Sequence, residues 1–198
     1  MSDETASVVT IFVADEQTEV AIDAQRWFRL ATAVLDAEGV GSAGEIEMSL
    51  LFVDEENNSV LNERYMGKKG PTDVLAFPID EIGIQDGRWP DGGTSGPGGT
   101  NAIEDDDGPD DDMPLMLGDV LICPRVARDN APEHAGPNHD GSLEDELALL
   151  VVHGILHLLG LDHHEEAEAE EMETRERDLL ARFHVSVGRP AAAEAEAG

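Results

Sequence analysis

The sequence predicts a single α+β domain, with one small mixed sheet packed against a central helix. Three observations carry this reading. Four short runs of strand character and four or five segments of helical period follow one another in mixed order, the pattern of a helix-covered sheet. One helical segment, beginning after Ser142, is apolar on almost every side, as a helix inside a domain must be. The chain has 198 residues, enough for one domain with a proper core. The domain is expected to span residues 1–184, with 185–198 an Ala/Glu-rich frayed tail.

Each element has a local cause. Val8 to Val13 is a β-branched run and reads as the first strand. From Asp23 to Glu38 the spacing is helical, with Trp27, Leu30, Ala31 and Val34 on one face and Gly39 and Gly41 ending it. Ile46, Met48, Leu50 and Phe52 alternate with Glu47, Ser49, Leu51 and Val53, which predicts a strand with at least one well buried face. Asp54 is placed to cap a helix running through Val60 and Leu61 to about Tyr65. A turn at Gly67 to Gly70 then leads into a short apolar strand ending at Pro78.

From about 83 to 113 the composition changes. Gly92 to Gly99 is linker-like, and the stretch from Glu104 to Asp112 is almost wholly acidic; this predicts a disordered surface insertion without the Asp/Gly/Glu spacing of a calcium loop. Leu115 to Cys123 returns to a strand, and Pro124 opens a short helix reaching Asn130. Ala131 to Gly141 is a loop whose His134 and His139 have no ligand spacing and are expected to be exposed. Ser142 caps the apolar helix, with Asp145 as its capping-box partner. An acidic helix from Glu165 to Arg182 follows, with Met172, Leu179 and Leu180 as its sparse apolar side.

The apolar helix carries the chemistry. His153 and His157 are i and i+4, so they share a face with roughly 6 Å between Cβ atoms, close enough to aim two imidazole nitrogens at one ion. Gly160 supplies a helix stop at little conformational cost, and the reversed chain can bring His163 back to the same point. His164 falls one residue off that frame. Three neutral imidazoles with an open fourth position is the arrangement of a catalytic zinc site, whereas a structural site is usually closed by four protein ligands. In H-E-x-x-H peptidases the glutamate after the first histidine is the general base; here that position is Gly154, which argues against peptide hydrolysis by that route. Glu146, two turns before His153, lies about 10 Å away by helical rise, too far to share the ion.

Charge and cysteine usage bound the setting. There are 44 acidic and 12 basic residues, a formal net charge of −32, so nucleic acid is repelled unless a local basic patch or high salt intervenes. Arg64, Lys68 and Lys69 form the obvious positive cluster, either simply solvated or steering phosphate, and Asp73 beside them either caps its turn or handles a proton. Low lysine content fits either a high-salt habitat or GC-rich coding. Cys123 is the single cysteine, either a small buried residue or a fourth ligand that three histidines do not require, and no internal disulfide can form, as suits a reducing cytosol. Met1 to Ala6 lacks the basic and apolar regions of a signal peptide, and no run is long enough to span a membrane.

The eleven residues from His153 to His163 match the pattern H-G-x-L-H-L-x-G-x-D-H throughout. In this the chain resembles the YbeY family, bacterial endoribonucleases of ribosomal RNA maturation. Pro71 to Pro78 is similar to that family's P-T-D-V-L-S-F-P block, and Leu117 to Cys123 to its L-G-D strand, so the resemblance covers roughly residues 8–184. It implies a metal-dependent hydrolase fold and one zinc on His153, His157 and His163. It further implies cytoplasmic, single-strand-specific cleavage near the 3′ end of small-subunit rRNA, together with ribosome quality control. The partners it implies are ribosomal RNA and the small ribosomal subunit, with neither DNA nor membrane. Two positions depart from the family pattern: Met66 stands where many members have an arginine, and Ala76 where they have serine. A non-catalytic, zinc-stabilised assembly factor is the main alternative, and a metallopeptidase a weaker one.

Overall fold

A computed structural model describes residues 9–40, 45–79, 114–161 and 166–184. The expected insertion at 83–113, the tail at 185–198, and His163 and His164 lie outside those residues. The elements are β1 (Val9–Asp15), α1 (Ala24–Ala37), β2 (Ile46–Phe52), α2 (Glu55–Leu61), β3 (Val74–Pro78), β4 (Leu115–Ile122), α3 (Pro124–Asn130), α4 (Leu143–Leu158) and α5 (Glu166–Leu179). Wide π-helical turns extend α2 over Asn62–Met66 and α5 over Leu180–His184, and a 3-10 turn, Ala131–His134, follows α3.

The expected α+β class is the one found. The sheet has the order β1-β2-β4-β3. β1 and β2 are parallel with Val9 opposite Ile46, and β2 and β4 are parallel with Phe52 opposite Ile122. β3 runs antiparallel at the edge, with Val74 opposite Ile122 and Pro78 opposite Gly118. Gly118 is required there: its φ is +131°, and a Cβ would fall on the carbonyl oxygen of Phe77. On its other side, a register shift in the β2–β4 pairing between Glu47 and Met48 leaves Leu117, next to Gly118, without a partner in register.

Alternation along the strands decides which face is buried. Ile46, Met48, Leu50 and Phe52 are at most 2% exposed and join Trp27, Leu30 and Val34 of α1 and the apolar positions of α4 in one core. Each such fully buried side chain contributes about 1.5–3 kcal/mol. The other face carries a smaller cluster, Val53, Leu75 and Leu121, against which Leu61, Met66 and Phe77 pack. The sheet is therefore covered by α1 and α4 on one side and, around β3 and β4, by α2 and its π-helical turn on the other. Among the described residues no helix is long and apolar enough to cross a membrane.

The caps at Asp54 and Ser142 occur where the sequence places them: Asp54 accepts from Asn57 N, and Ser142 Oγ accepts from Asp145 N at 3.2 Å. Asp23, expected inside the first helix, caps it instead and accepts from Arg26 N. Asp145 does not return a bond to Ser142 N, which donates to Asp140 instead. Its carboxylate accepts from Asp140 N at 2.9 Å and from His184 Nε2 at 2.8 Å, because the π-helical turn that follows α5 packs beside it.

Candidate metal centre

The position of α4 follows from one residue. A Cβ on Gly154 would stand 2.5 Å from Val120 Cγ1, so only a glycine lets α4 lie this low on β4. The peptidase glutamate that this position holds in other histidine-helix sites has no room here. With Gly154 against the sheet, His153 and His157 turn to the side, away from the densest packing.

The two rings meet nearly at right angles, 83°, with centroids 4.5 Å apart, and their Nε2 atoms are 3.0 Å apart. His153 Nδ1 lies 2.7 Å from Glu176 Oε1 of α5. A carboxylate only accepts, so Nδ1 carries the proton and the Nε2 lone pair of His153 faces His157. Two nitrogens this close need a proton or a cation between them. A tetrahedral zinc at about 2.0–2.1 Å from each would hold neighbouring donors roughly 3.3 Å apart, so the pair fits such an ion with a small spreading movement.

The helix ends as the sequence predicts. Gly160 has φ +85°, its N–H donates to His157 O, and Leu161 N–H donates to Leu156 O, the two bonds of a left-handed helix stop. The chain thus leaves the helix at Gly160, three residues after His157. His163 itself lies outside the described residues, and among those described no set of three metal-ligating side chains is assembled.

The other expected site residues are distributed differently. Arg64, Lys68 and Lys69 are exposed and stay together on the π-helical turn after α2 and its following loop. Arg64 lies over the Tyr65 ring at 5.2 Å, and Tyr65 meets Phe77 edge-on at 5.1 Å. This patch belongs to the layer on the face of the sheet opposite α4. Met66 is partly buried there, packed against the Val53–Leu75–Leu121 cluster. Asp73 fixes the start of β3: Oδ1 accepts from Val74 N and Thr72 Oγ1, and Oδ2 accepts from Asn130 Nδ2. Cys123 is fully buried, and burial pushes its thiol up, away from the thiolate form that a zinc ligand takes.

A second polar cluster sits two turns up α4. Glu146 is completely buried and takes His134 Nδ1 at 2.8 Å, while His139 Nε2 stands 3.1 Å from the same oxygen without hydrogen-bond alignment. The hydrogen bond to Glu146 raises the His134 pKa, with smaller help from the charges of Glu146, Asp73 and Glu133. His134 is partly exposed as expected, but His139 is mostly buried, with a side chain only 12% exposed. The fully buried carboxylate of Glu146 demands such partners, and the loop supplies them.

The residue that sequence reading missed is Glu176. Its signal was present: Met172, Glu176 and Leu179 lie at i, i+4 and i+7, so one carboxylate falls in the apolar stripe of an otherwise solvated helix. Glu176 also forms part of the wall of a cavity of about 460 Å³ shared with His139, Leu149, Arg177 and His184.

Comparison with known proteins identifies the family. The family model described as Endoribonuclease YbeY matches residues 12–184. A protein of Acidothermus cellulolyticus named Endoribonuclease YbeY is 40% identical over 185 residues, covering 92% of this chain and 98% of its own. The Thermobifida fusca protein of the same name is 42% identical over 179 residues, covering 90% and 97%. The solution structure of TM1509 from Thermotoga maritima shares the fold at a TM-score of 0.50 and 18% identity, over 93% of this chain and 99% of that one. The match of the family model over residues 12–184, with 40–42% identity to relatives covered almost throughout, places the chain in the endoribonuclease YbeY family.

Proposed function

We propose that this protein is a zinc-dependent endoribonuclease that cleaves single-stranded ribosomal RNA, in 3′-end maturation of the small-subunit rRNA and in ribosome quality control. The observation that carries the metal assignment is the 3.0 Å convergence of His153 Nε2 and His157 Nε2. His163 is the proposed third ligand, with one zinc per chain. The proposed setting is the cytoplasm, with rRNA and the small ribosomal subunit as partners.

A zinc ion held by His153, His157 and His163 would supply Lewis-acid charge and a water made nucleophilic near neutral pH. The remaining work belongs to the chain's own side chains. Arg64, Lys68 and Lys69 attract the RNA backbone to a molecule of net charge −32. Asp73 orients the strand that follows this loop through its bonds to Thr72, Val74 and Asn130. Glu146, committed to His134, is not available to the scissile phosphate.

The test is cleavage of a 3′-extended small-subunit rRNA fragment by metal-analysed protein, beside His157→Ala prepared identically. Activity that tracks zinc content and disappears in the variant is the expected result. Equal activity in both points to a contaminating ribonuclease and defeats the reading. One observation favours a second reading, a non-catalytic assembly factor: Met66 packs into an apolar cluster where many family members carry an arginine. Cosedimentation with small subunits that survives loss of His157, without cleavage, supports that alternative. A metallopeptidase is disfavoured by the lack of space at Gly154.

A further inference from the structure

We infer that Glu176 is the positioning residue of the metal centre, holding His153 in the one tautomer and ring orientation that present Nε2 to the ion. This rests on the proposed zinc site and adds a fourth side chain, from a different helix, to the three histidines.

Three features of Glu176 support the assignment. First, it stands apart from its neighbours: Glu168, Glu170, Glu171, Glu173 and Asp178 of α5 are exposed, whereas the Glu176 side chain is only 13% exposed. Withdrawing a carboxylate from water is costly unless it is well paired, so the inward turn of this one acid requires a partner, and the partner is His153. Second, its place is rigid. Met172 and Leu179, one turn to either side, are 2% and 1% exposed in the main core, and Arg175 ties the same helix to Glu38 of the segment after α1 at 2.7 Å. The carboxylate is thereby anchored independently of the histidine it contacts. Third, the contact is short, 2.7 Å, and charge-assisted.

The consequence is chemical. A neutral imidazole has one N–H and two places to carry it. With Nδ1–H held by Glu176, the lone pair is confined to Nε2, the atom that lies 3.0 Å from His157 Nε2. Without an acceptor at Nδ1 the ring can place its proton on Nε2 and can rotate, and either change removes a donor from the ion. The acidic helix α5 is therefore a working wall of the centre and not only a solvated cover.

The experiment measures zinc affinity and the histidine tautomer and does not depend on catalysis. Zinc is titrated into metal-free protein against a chromophoric chelator for wild type, Glu176→Ala, Glu176→Gln and, as a control on the same helix, Glu173→Ala. Glu176→Ala is expected to weaken zinc binding by about 10–100-fold. Glu176→Gln keeps an oxygen acceptor in nearly the same shape, so it should fall between Glu176→Ala and wild type, and it answers the question if the alanine variant does not fold. Glu173→Ala should match wild type. Long-range proton–nitrogen spectra of the metal-free protein should show His153 protonated on Nδ1 in wild type and shifting toward Nε2–H in Glu176→Ala. The inference is overturned if wild type binds zinc and Glu176→Ala binds it within about twofold, or if Glu173→Ala weakens binding equally. A wild-type protein that binds no zinc overturns the metal centre itself, a distinct result.

Discussion

Replacing Gly154 with alanine tests the close seat of the histidine helix on the sheet. The added Cβ would lie 2.5 Å from Val120 Cγ1 and 3.0 Å from Cγ2. Ordinary carbon contacts are about 3.5–4.0 Å, so α4 must rise by roughly 1 Å or Val120 must leave its rotamer. Val120 is fully buried and β-branched, which makes its χ1 stiff. Overpacking of this kind costs about 1–3 kcal/mol, and the better helix propensity of alanine offsets up to about 1 kcal/mol. A net loss of about 1–2 kcal/mol lowers Tm by roughly 5 °C for a domain of this size. Urea unfolding of Gly154→Ala, Val120→Ala and the double variant measures the contact directly. Because Val120→Ala deletes both clashing methyls, the cycle should show a favourable coupling of about 1 kcal/mol. A Gly154→Ala protein at least as stable as wild type, with no coupling to Val120, would refute the packing argument. Gly154→Glu, the change that would restore a peptidase motif, should destabilise further and yield no peptidase activity.

Three other outcomes follow from the same contacts. Glu146 raises the His134 pKa above its ordinary value of 6.5, so this pair stabilises the fold fully below about pH 6.5 and loses its effect as pH rises through the raised folded value. Urea midpoints of wild type and His134→Ala should therefore converge on the alkaline side; a constant gap from about pH 5.5 to 8.5 speaks against the pairing. Neutralising Lys68 and Lys69 together with glutamine should flatten the salt dependence of RNA binding by about 1.4 units of slope, and an unchanged slope removes the patch from the binding surface. His184→Ala leaves Asp145, itself only 4% exposed, without its 2.8 Å partner. Denaturant unfolding should register a loss of about 3 kcal/mol, and a change under about 0.5 kcal/mol would mean the pair is dispensable.

What could be read from the chain alone was whatever depends on neighbours within a turn or two. The alternation of Ile46, Met48, Leu50 and Phe52, the caps at Asp54 and Ser142, Pro124 at the start of α3, and Gly160 in its left-handed stop all act over a few residues. So does the i, i+4 geometry of His153 and His157, which is why the heart of the candidate site was visible before any fold was known. Tertiary structure decided the rest. The order β1-β2-β4-β3 and the reversed edge strand depend on pairings between distant segments, which leave no local period. The contact between Glu176 and His153 crosses 23 residues, and that between Asp145 and His184 crosses 39. On the sequence, the place of Glu176 in the apolar stripe of α5 marks it as turned inward but not toward which partner, and Asp145 looks like a capping partner of Ser142. Their chemistry was assigned by burial: a carboxylate taken out of water must find a donor, and which donor it finds depends on which helix is packed beside it.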